Sequence, residues 1–342
     1  MKGITIIWIC TSFLLTGCTL GNFGGIPQTK PSRQERLSHA DLLREEANLS
    51  KLLKREPGNA SAQHAHGRIL LALEQPRRAI ISLKRAVDLD DSNADYQFWL
   101  GVAYGENDQA SEEQVRYMRA LQDDPQHVLA LVYLGNNYLK RRMLQPALNC
   151  YRRALEIDPS NNQALFNRAV IYHQLQQTAE EKLAWKLYLE AHPAGALARK
   201  AVDNLNLLND FSYRNHYLGH RVLTLPAITY TPFSAELNQS DRKSLSQIGS
   251  LAANLRGSLN VLVYQTNDRE LARNRAIEIK RFLEKAYPAL AADNRIRISW
   301  FDVPEKKKSA GRMHLIDDST VFFLAVSPKK PIKLIKKGKT KR

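Results

Sequence analysis

Cysteine is scarce in this chain of 342 residues, which contains only Cys10, Cys18 and Cys150. Cys10 lies in an N-terminal segment that we interpret below as a processed leader, and Cys18 directly follows that segment and is interpreted below as a modified residue. Cys150 is then the single thiol of the mature chain, and we expect it to pack as a small apolar side chain. The sequence therefore excludes a small scaffold held together by disulfides.

Recognisable catalytic motifs are also absent. The sequence contains no phosphate loop ending in Gly-Lys-Ser/Thr and no Gly-x-Ser-x-Gly nucleophile elbow. The histidines are scattered, without a cysteine or carboxylate at metal-ligand spacing. His216 and His220 are four residues apart, but they lie in a segment that we interpret as loop. We therefore predict that the protein is not an enzyme and holds no cofactor or metal.

The N-terminus lacks an apolar run long enough to span a bilayer, because Ile4–Leu15 is too short. Following Lys2, this run is typical of a secretory signal. It ends in Leu15-Thr16-Gly17-Cys18, which resembles the lipobox of bacterial lipoproteins. The resemblance implies a signal peptide over 1–17, acyl chains such as palmitate on Cys18 and an outer-membrane lipoprotein facing the periplasm. The alternative is an ordinary secretory signal with an incidental cysteine.

Acidic residues are too few to balance the basic ones: 34 Asp and Glu stand against 50 Lys and Arg, giving a net charge of +16. Much of the excess lies in the tail 328–342, and Lys306–Lys308 add charge in a predicted loop. Such tails are usually solvated. Nucleic acid is an implausible target in the periplasm. Anionic cell-wall polymer, the inner region of lipopolysaccharide or an acidic partner fits better.

Four stretches of the chain align at a period of 34 residues, and they begin at Ala60, Ala94, Val128 and Asn162. Their eighth positions are small, as two closely packed helices require: Gly67, Gly101, Gly135 and Ala169. This pattern resembles the tetratricopeptide repeat, and the resemblance implies an α-solenoid of four repeats over 60–195. Helical patterns over 38–59 and 196–210 predict capping helices. Residues 18–37 read as a flexible, lipid-anchored linker.

In tetratricopeptide proteins the first helix of each repeat lines a concave groove. The resemblance places these residues there: His64, Arg68, Phe98, Val102, Val132, Asn136, Leu139, Phe166, Val170 and His173. The set is mainly apolar, which suits an apolar helix or an extended peptide as the ligand. Packing within the chain is the alternative. A clamp for a C-terminal carboxylate is not expected, because only Arg68 and Asn136 approach its composition.

A second domain is predicted over 221–327, where strands and helices alternate. Its predicted elements are an extended segment Arg221–Tyr230, helices Gln239–Leu255 and Arg269–Tyr287, and strands Ser258–Tyr264, Arg295–Trp300 and Thr320–Val326. This β-α-β-α-β order predicts a small sheet with helices on one side. The fold class is therefore an α-solenoid followed by a small α/β domain.

The order of elements resembles the peptidoglycan-binding domain of the OmpA type. Ile228–Leu237 is similar to that family's first strand and the loop after it. Gln265–Asn267 stands where the family has His-Thr-Asp, and Asn274–Ala276 opens the next helix where the family has Arg-Ala. The resemblance implies a βαβαβ fold and contact with the peptidoglycan stem peptide.

The family's binding arginine maps onto Arg275, and Asp268 replaces its aspartate only if the backbone shifts by one residue. The arginine and aspartate would grip the free carboxylate and amine of diaminopimelate. The sequence departs from the family at this site. Gln265 replaces the histidine, Asn267 stands where the aspartate is expected, and Asp317-Asp318-Ser319 replaces a late Asn-Arg-Arg signature. The alternative is a degenerate domain kept for packing or partner contact, with Arg275 solvated at the start of a helix.

Two functions remain open. In the first, the protein is a scaffold similar to the tetratricopeptide lipoproteins that assist secretin assembly in type IV and Tad-type pilus systems. The lipobox, the short tether and the run of repeats carry this resemblance, which implies a protein partner such as a secretin. In the second, the protein tethers the outer membrane to peptidoglycan. We predict the scaffold, because the residue pair for diaminopimelate is not intact.

Overall fold

The computed structural model describes residues 38–292, 294–309 and 311–325. The chain forms two compact units that divide between Ala184 and Trp185. The signal peptide, linker and basic tail predicted over 1–17, 18–37 and 328–342 lie outside the described residues, as does the acylation site Cys18. These expectations therefore stay predictions.

The first unit begins with helix α1 (His39–Arg55). Ser38 and Asp41 form a capping box, in which the Asp41 amide donates to the Ser38 hydroxyl (3.1 Å) and the Ser38 amide donates to the Asp41 carboxylate (3.2 Å). Leu42 on this helix is buried in a cluster with Ile69 and Leu73. The helix expected before the repeats thus packs on the first repeat.

Four helix pairs follow. They are α2 (Ala60–Ala72) with α3 (Pro76–Leu89), α4 (Ala94–Glu106) with α5 (Ala110–Asp123), α6 (Val128–Lys140) with α7 (Leu144–Ile157), and α8 (Asn162–Gln174) with α9 (Thr178–Ala191). The first helices of the pairs begin at the four positions that the sequence period marks. This confirms the predicted tetratricopeptide repeats. Helix α9, the second helix of the fourth pair, contains the point at which the chain divides into its two units.

The start of each first helix is encoded by its N-cap residue. Asn59, Asn93, His127 and Asn161 stand at the same position of successive repeats. Each side chain accepts a hydrogen bond from the backbone amide three residues later, which satisfies one of the free amides of the first turn. Local sequence therefore sets the phase of the repeats.

The eighth position of a repeat must be small because the second helix crosses there. A Cβ atom added to Gly101 would lie 2.6 Å from the Tyr117 ring, and one added to Gly135 would lie 2.8 Å from the Tyr151 ring. Both tyrosines are fully buried. The glycines thus allow an aromatic side chain to fill the space between the paired helices.

The turn inside each repeat contains a residue in the left-handed region, and none of these is glycine. They are Glu74, Asp108, Arg142 and Gln176, with φ between 56° and 58°. This conformation is strained for residues with a Cβ atom. The turn geometry therefore recurs with the repeat although its sequence does not specify it.

The second unit contains a five-stranded mixed sheet. Its strands are β1 (Tyr213–Leu218), β2 (Arg221–Pro226), β3 (Ser258–Gln265), β4 (Ile296–Phe301) and β7 (Asp318–Ala325). They lie in the order β2-β1-β7-β3-β4. The β1–β7 and β3–β4 pairs are parallel, whereas β1–β2 and β3–β7 are antiparallel. A separate hairpin joins β5 (Glu305–Ser309) and β6 (Arg312–Ile316).

Four helices accompany the sheet: α10 (Ala196–Leu207), α11 (Gln239–Ala253), α12 (Arg269–Ala286) and the short α13 (Pro288–Ala291). The core contains strand residues such as Val261 and Phe322 together with helix residues such as Ile248 and Ile279. Burial of these apolar side chains holds α11 and α12 on the sheet. The small mixed sheet domain that the sequence predicts is confirmed in this general form.

Two expectations for this region need correction. The segment containing His216, which we expected to be a loop, forms β1, so the sheet begins before residue 221. Lys306–Lys308, also expected in a loop, lie within β5. Helix α10, predicted as a cap on the last repeat, belongs to the second unit and contacts β1, β2 and β5; its capping role stays a prediction.

Candidate functional site

Four residues that the sequence places in the groove are not accessible. Phe98 and Phe166 have no exposed surface, Val132 is 2% exposed and Val102 is 5% exposed. The Phe98 ring centroid lies 5.2 Å from that of Tyr133 on the next first helix. A partner cannot touch side chains that neighbouring helices cover completely. For these four residues the prediction of a partner contact is therefore wrong, and they belong to the core.

The other predicted groove residues keep some exposed surface. His64, Arg68, Leu139 and Val170 are half-buried, and the His173 side chain is 66% exposed. His173 is nevertheless engaged, because its Nδ1 lies 3.1 Å from the Glu181 carboxylate.

Asn136 is also half-buried, and its side chain is already used inside the repeat unit. Its Oδ1 accepts hydrogen bonds from the Tyr151 hydroxyl (2.6 Å) and the Asn167 amide (2.9 Å). Asn136 therefore holds adjacent repeats together.

Four side chains on α2 and α4 form a cluster of basic and aromatic groups, which we name the Arg68 cluster: His64, Arg68, Tyr96 and Trp99. The Arg68 guanidinium lies 4.5 Å from the centroid of the Trp99 ring. The His64 ring lies 4.9 Å from Tyr96 and 6.2 Å from Trp99. An arginine over an indole face is a favourable cation–π arrangement.

Sequence reasoning missed Tyr96 and Trp99. Their signal was the spacing of three residues on α4, which places both on one helix side. His64 and Arg68 are four apart on α2 and share a side in the same way. The repeat pattern alone did not indicate that these two sides face each other.

Arg68 has no hydrogen bond and no ion pair within the described residues. Burial lowers the pKa of its guanidinium, which still stays charged at neutral pH. Burial also lowers the pKa of His64 to about 4, and the Arg68 charge acts in the same direction. The His64 ring is therefore neutral, and its buried Nε2 has no hydrogen-bond partner. The cluster thus combines a cation that forms no direct ion pair with an unsatisfied polar atom.

Asp95 is the nearest natural counter-ion for Arg68, but another residue holds it. His127 Nδ1 accepts a bond from the Ala130 amide, so its Nε2 carries the proton and donates to Asp95 Oδ1 at 3.1 Å. This hydrogen bond holds the pKa of Asp95 below its ordinary value. The capping role of His127 therefore fixes the Asp95 carboxylate, which attracts the Arg68 charge without forming an ion pair with it.

In the second unit, Arg275 is buried rather than solvated. Its Nε donates to the Ser234 carbonyl (2.9 Å), and its Nη1 donates to Asp318 (2.9 Å) and to Gln265. The guanidinium also lies 4.0 Å from the Tyr230 ring centroid. The expectation of a solvated residue at the helix start is therefore wrong.

Asp268 takes no part in this arrangement. Its carboxylate caps α12 by accepting from the Leu271 amide at 2.8 Å. Among the described residues, no hydrogen bond or ion pair links Asp268 to Arg275. The carboxylate that Arg275 meets instead comes from Asp318 at the start of β7.

The second helices carry a different exposed row. Ile81, Val115 and Leu183 occupy equivalent positions of their repeats and are 56%, 60% and 59% exposed. Asn149 stands at the intervening position. This row is an alternative contact surface, although it lacks charged groups.

Two kinds of site were not found in the described part of the chain. No helix there combines the length and apolarity that a bilayer-spanning segment needs. No three His, Cys, Asp or Glu side chains converge there as ligands of a metal ion would.

Comparison with known families supports the repeat assignment. Residues 64–128 match the model described as tetratricopeptide repeat, and residues 144–176 match a second model described as TPR repeat. The chain therefore contains tetratricopeptide repeats. Repeats of this class build extended surfaces for binding other proteins.

Individual proteins are similar only in part. The chain is 25% identical over 166 residues to RNA polymerase II-associated protein 3 of Xenopus laevis, spanning 48% of this chain and 25% of that protein. The chain thus covers a quarter of that relative's length.

Two solved structures are similar at low TM-scores. PilW, a type IV pilus biogenesis factor, has 20% identity and a TM-score of 0.44, over 49% of this chain and 80% of its own. PilF of Pseudomonas aeruginosa has 17% identity and a TM-score of 0.46, over 50% of this chain and 78% of its own. Values this low transfer no functional property to this chain.

Proposed function

We propose that this protein is a non-catalytic scaffold whose Arg68 cluster binds an acidic segment of a partner protein. The observation that carries the proposal is the guanidinium of Arg68, which is partly buried, stacked on Trp99 and without a direct hydrogen bond or ion pair among the described residues. Buried charges are normally paired. An unpaired cation on a protein-binding fold is therefore a candidate contact for a partner's carboxylate.

The geometry of the cluster favours a carboxylate in particular. A guanidinium presents a planar set of donors that matches the two oxygens of a carboxylate, and the Trp99 ring restricts the orientation of that plane. Each such charged hydrogen bond contributes about 1.5–3 kcal/mol when it forms away from water. The neutral His64 ring beside it adds no competing charge. Tyr96 and Trp99 provide apolar contact area around the charged group.

The proposal is tested with the full chain immobilised against an envelope extract of its own cells. We expect a specific protein to be retained by the wild type and lost from Arg68→Ala. Arg68→Lys should restore retention only partly, because lysine lacks the planar donor set. The matched control is Arg85→Ala, an exposed cation on α3. Equal retention by Arg68→Ala and the control would exclude the cluster as the binding site.

We further infer from the sequence that the scaffold is an outer-membrane lipoprotein that works in an envelope machine of the pilus or secretin-assembly type. The support is the lipobox-like Leu15–Cys18, the short linker after it and the run of repeats. Two or more acyl chains would hold the protein on the membrane almost permanently. Cys18→Ala should move the protein from the membrane fraction to the soluble periplasmic fraction. Unchanged membrane fractionation would contradict acylation.

A second candidate, peptidoglycan tethering, is favoured by the Arg275–Asp318 pair. An arginine and a carboxylate 2.9 Å apart are the two charges that would grip the amine and carboxylate of a stem peptide. All of the Arg275 bonds are internal, so a ligand must displace Gln265 or Asp318. Gln265→Ala should then strengthen retention on purified peptidoglycan, and Asp318→Asn should abolish it. If neither the wild type nor either variant is retained on peptidoglycan, the tether is excluded.

A further inference from the structure

Strand β2 is an edge of the five-stranded sheet, and its outer side has no strand partner among the described residues. Gly219 and His220 form a two-residue turn between β1 and β2, with Gly219 at φ 65°. Leu218 and Arg221 are therefore a hydrogen-bonded pair, and hydrogen-bonded and non-hydrogen-bonded pairs alternate from there along the hairpin. Val222 and Thr224 consequently direct their backbone N–H and C=O groups away from β1.

A groove of about 740 Å³ lies between this edge and helix α11. Val222 and Leu223 of β2 and Leu251 of α11 supply apolar lining, and all three are half-buried. Free backbone groups along one wall and apolar side chains beside them are the two features by which proteins bind extended peptides at a sheet edge.

The groove is also positively charged. Arg221 from β2 and Lys243 from α11 belong to its lining, and both are exposed. Neither forms an ion pair within the described residues. No aspartate or glutamate is among the groove's lining residues in that part of the chain. Its charge is therefore complementary to acidic side chains.

The edge is open along its middle. Natural edge strands are commonly protected by charged side chains, proline or bulges. In β2 these devices stand only at the ends, as Arg221 and Pro226, whereas Val222–Leu225 between them is apolar apart from Thr224. The Thr224 hydroxyl is bonded to Asn215 (2.7 Å), so it does not block the strand.

Arg221 and Leu223 are two residues apart and lie on the same face of β2. We propose that this β2–α11 groove binds an extended segment of a partner protein that carries apolar and acidic side chains on one and the same face, at every second position. The segment adds as a sixth strand beside β2 and pairs with the backbone of Val222 and Thr224. Its apolar side chains enter the groove against Leu223 and Leu251, and its carboxylates meet Arg221 and Lys243. This site belongs to the second unit, so it does not depend on the function proposed for the Arg68 cluster.

The test uses the full chain and a short fluorescent probe peptide that repeats Val-Ser-Glu-Ser, so that valine and glutamate lie on the same face of the added strand. Anisotropy at low salt should show saturable binding. Val222→Pro removes one outward N–H without touching the β1–β2 ladder, and edge strands tolerate proline, so this variant should stay folded and lose binding. A probe with N-methyl groups on alternate amides should also fail to bind, since it cannot pair with a strand.

Charge is tested separately. Arg221→Glu combined with Lys243→Glu should weaken binding about tenfold. The matched control, Arg273→Glu with Lys308→Glu, changes the net charge equally at exposed positions outside the groove and should bind like the wild type. The absence of saturable binding would overturn the proposal. So would binding that survives both Val222→Pro and N-methylation, because that result would mean charge attraction without strand addition.

Discussion

The Nη1 atom of Arg275 lies 2.9 Å from Oδ2 of Asp318, which links α12 to the first residue of β7. The arginine side chain is 2% exposed and that of Asp318 is 39% exposed. The pair therefore joins a fully buried cation to a carboxylate at the surface. The Gln265 and Ser234 oxygens accept the other bonds of the same guanidinium.

Removing the carboxylate should destabilise the second unit. We expect Asp318→Ala to lower the free energy of unfolding by about 2 kcal/mol, because a buried charge loses its counter-ion but keeps neutral acceptors. Urea unfolding followed by circular dichroism measures the effect. Asp317→Ala, at the preceding exposed residue, is the control and should change stability less. Equal effects would mean that the Arg275 pair contributes nothing specific.

His64 should make the first unit sensitive to mild acid. Burial lowers its pKa to about 4 in the folded state, against about 6.5 when unfolded. The unfolded chain therefore takes up the proton first, so stability is complete above pH 6.5 and falls as the pH drops from 6.5 towards 4. His64→Phe removes this titration. The variant's stability should fall less over that interval, as measured by thermal unfolding at several pH values. Parallel curves for variant and wild type would show that His64 is not the cause.

Phe98→Ala should unfold rather than merely disable the repeats. The side chain is fully buried between adjacent helices, and truncating a buried phenylalanine costs about 3–5 kcal/mol. Leu139→Ala, at a half-buried position on α6, should cost less. The urea concentrations at which the two variants are half unfolded measure this difference in stability. A Phe98→Ala protein as stable as the wild type would return Phe98 to the list of exposed contact residues.

Glycine at the left-handed turn position should stabilise the repeats. Glu74 has φ 58°, where a Cβ atom is strained. Glu74→Gly should raise the free energy of unfolding by about 0.5–1 kcal/mol, since relief of strain exceeds the extra entropy of the unfolded chain. Glu74→Ala keeps the strain and should give no gain. A gain of equal size for alanine would show that the side chain, and not the backbone, is responsible.

The repeats could be predicted because their signals are local. An asparagine or histidine cap and a small residue at the eighth position recur in register, and the helices begin where these signals predict. Which side chains of the first helices are buried was harder to predict from the sequence. Phe98 is covered by Tyr133 of the following repeat, so its exposure depends on how successive repeats stack. The same stacking brings Arg68 of one repeat onto Trp99 of the next.

The strands that sequence reasoning missed carry buried polar residues. Strand β1 buries Arg214 and His216, so it lacks the apolar alternation that indicates a strand. Arg214 is compensated by Glu305 (3.0 Å) and Ser319 (2.9 Å), which are distant in sequence. In β5, burial lowers the pKa of Lys307 to about 8, and its ammonium reaches Asn206 of α10 at 3.2 Å. From the sequence alone, three successive lysines predict a solvated loop, because the partner that Lys307 finds on α10 cannot be foreseen.

Photocrosslinking in the protein's own cells decides whether the Arg68 cluster marks the partner-binding face. A photoreactive amino acid is placed in turn at Asp95 and Leu139 on the first helices, and at Val115 and Leu183 on the second helices. The account predicts a discrete crosslinked partner from Asp95 and Leu139, lost when Arg68→Ala is added, and none from Val115 or Leu183. Crosslinks only from Val115 and Leu183, or from Asp95 regardless of Arg68, would contradict it.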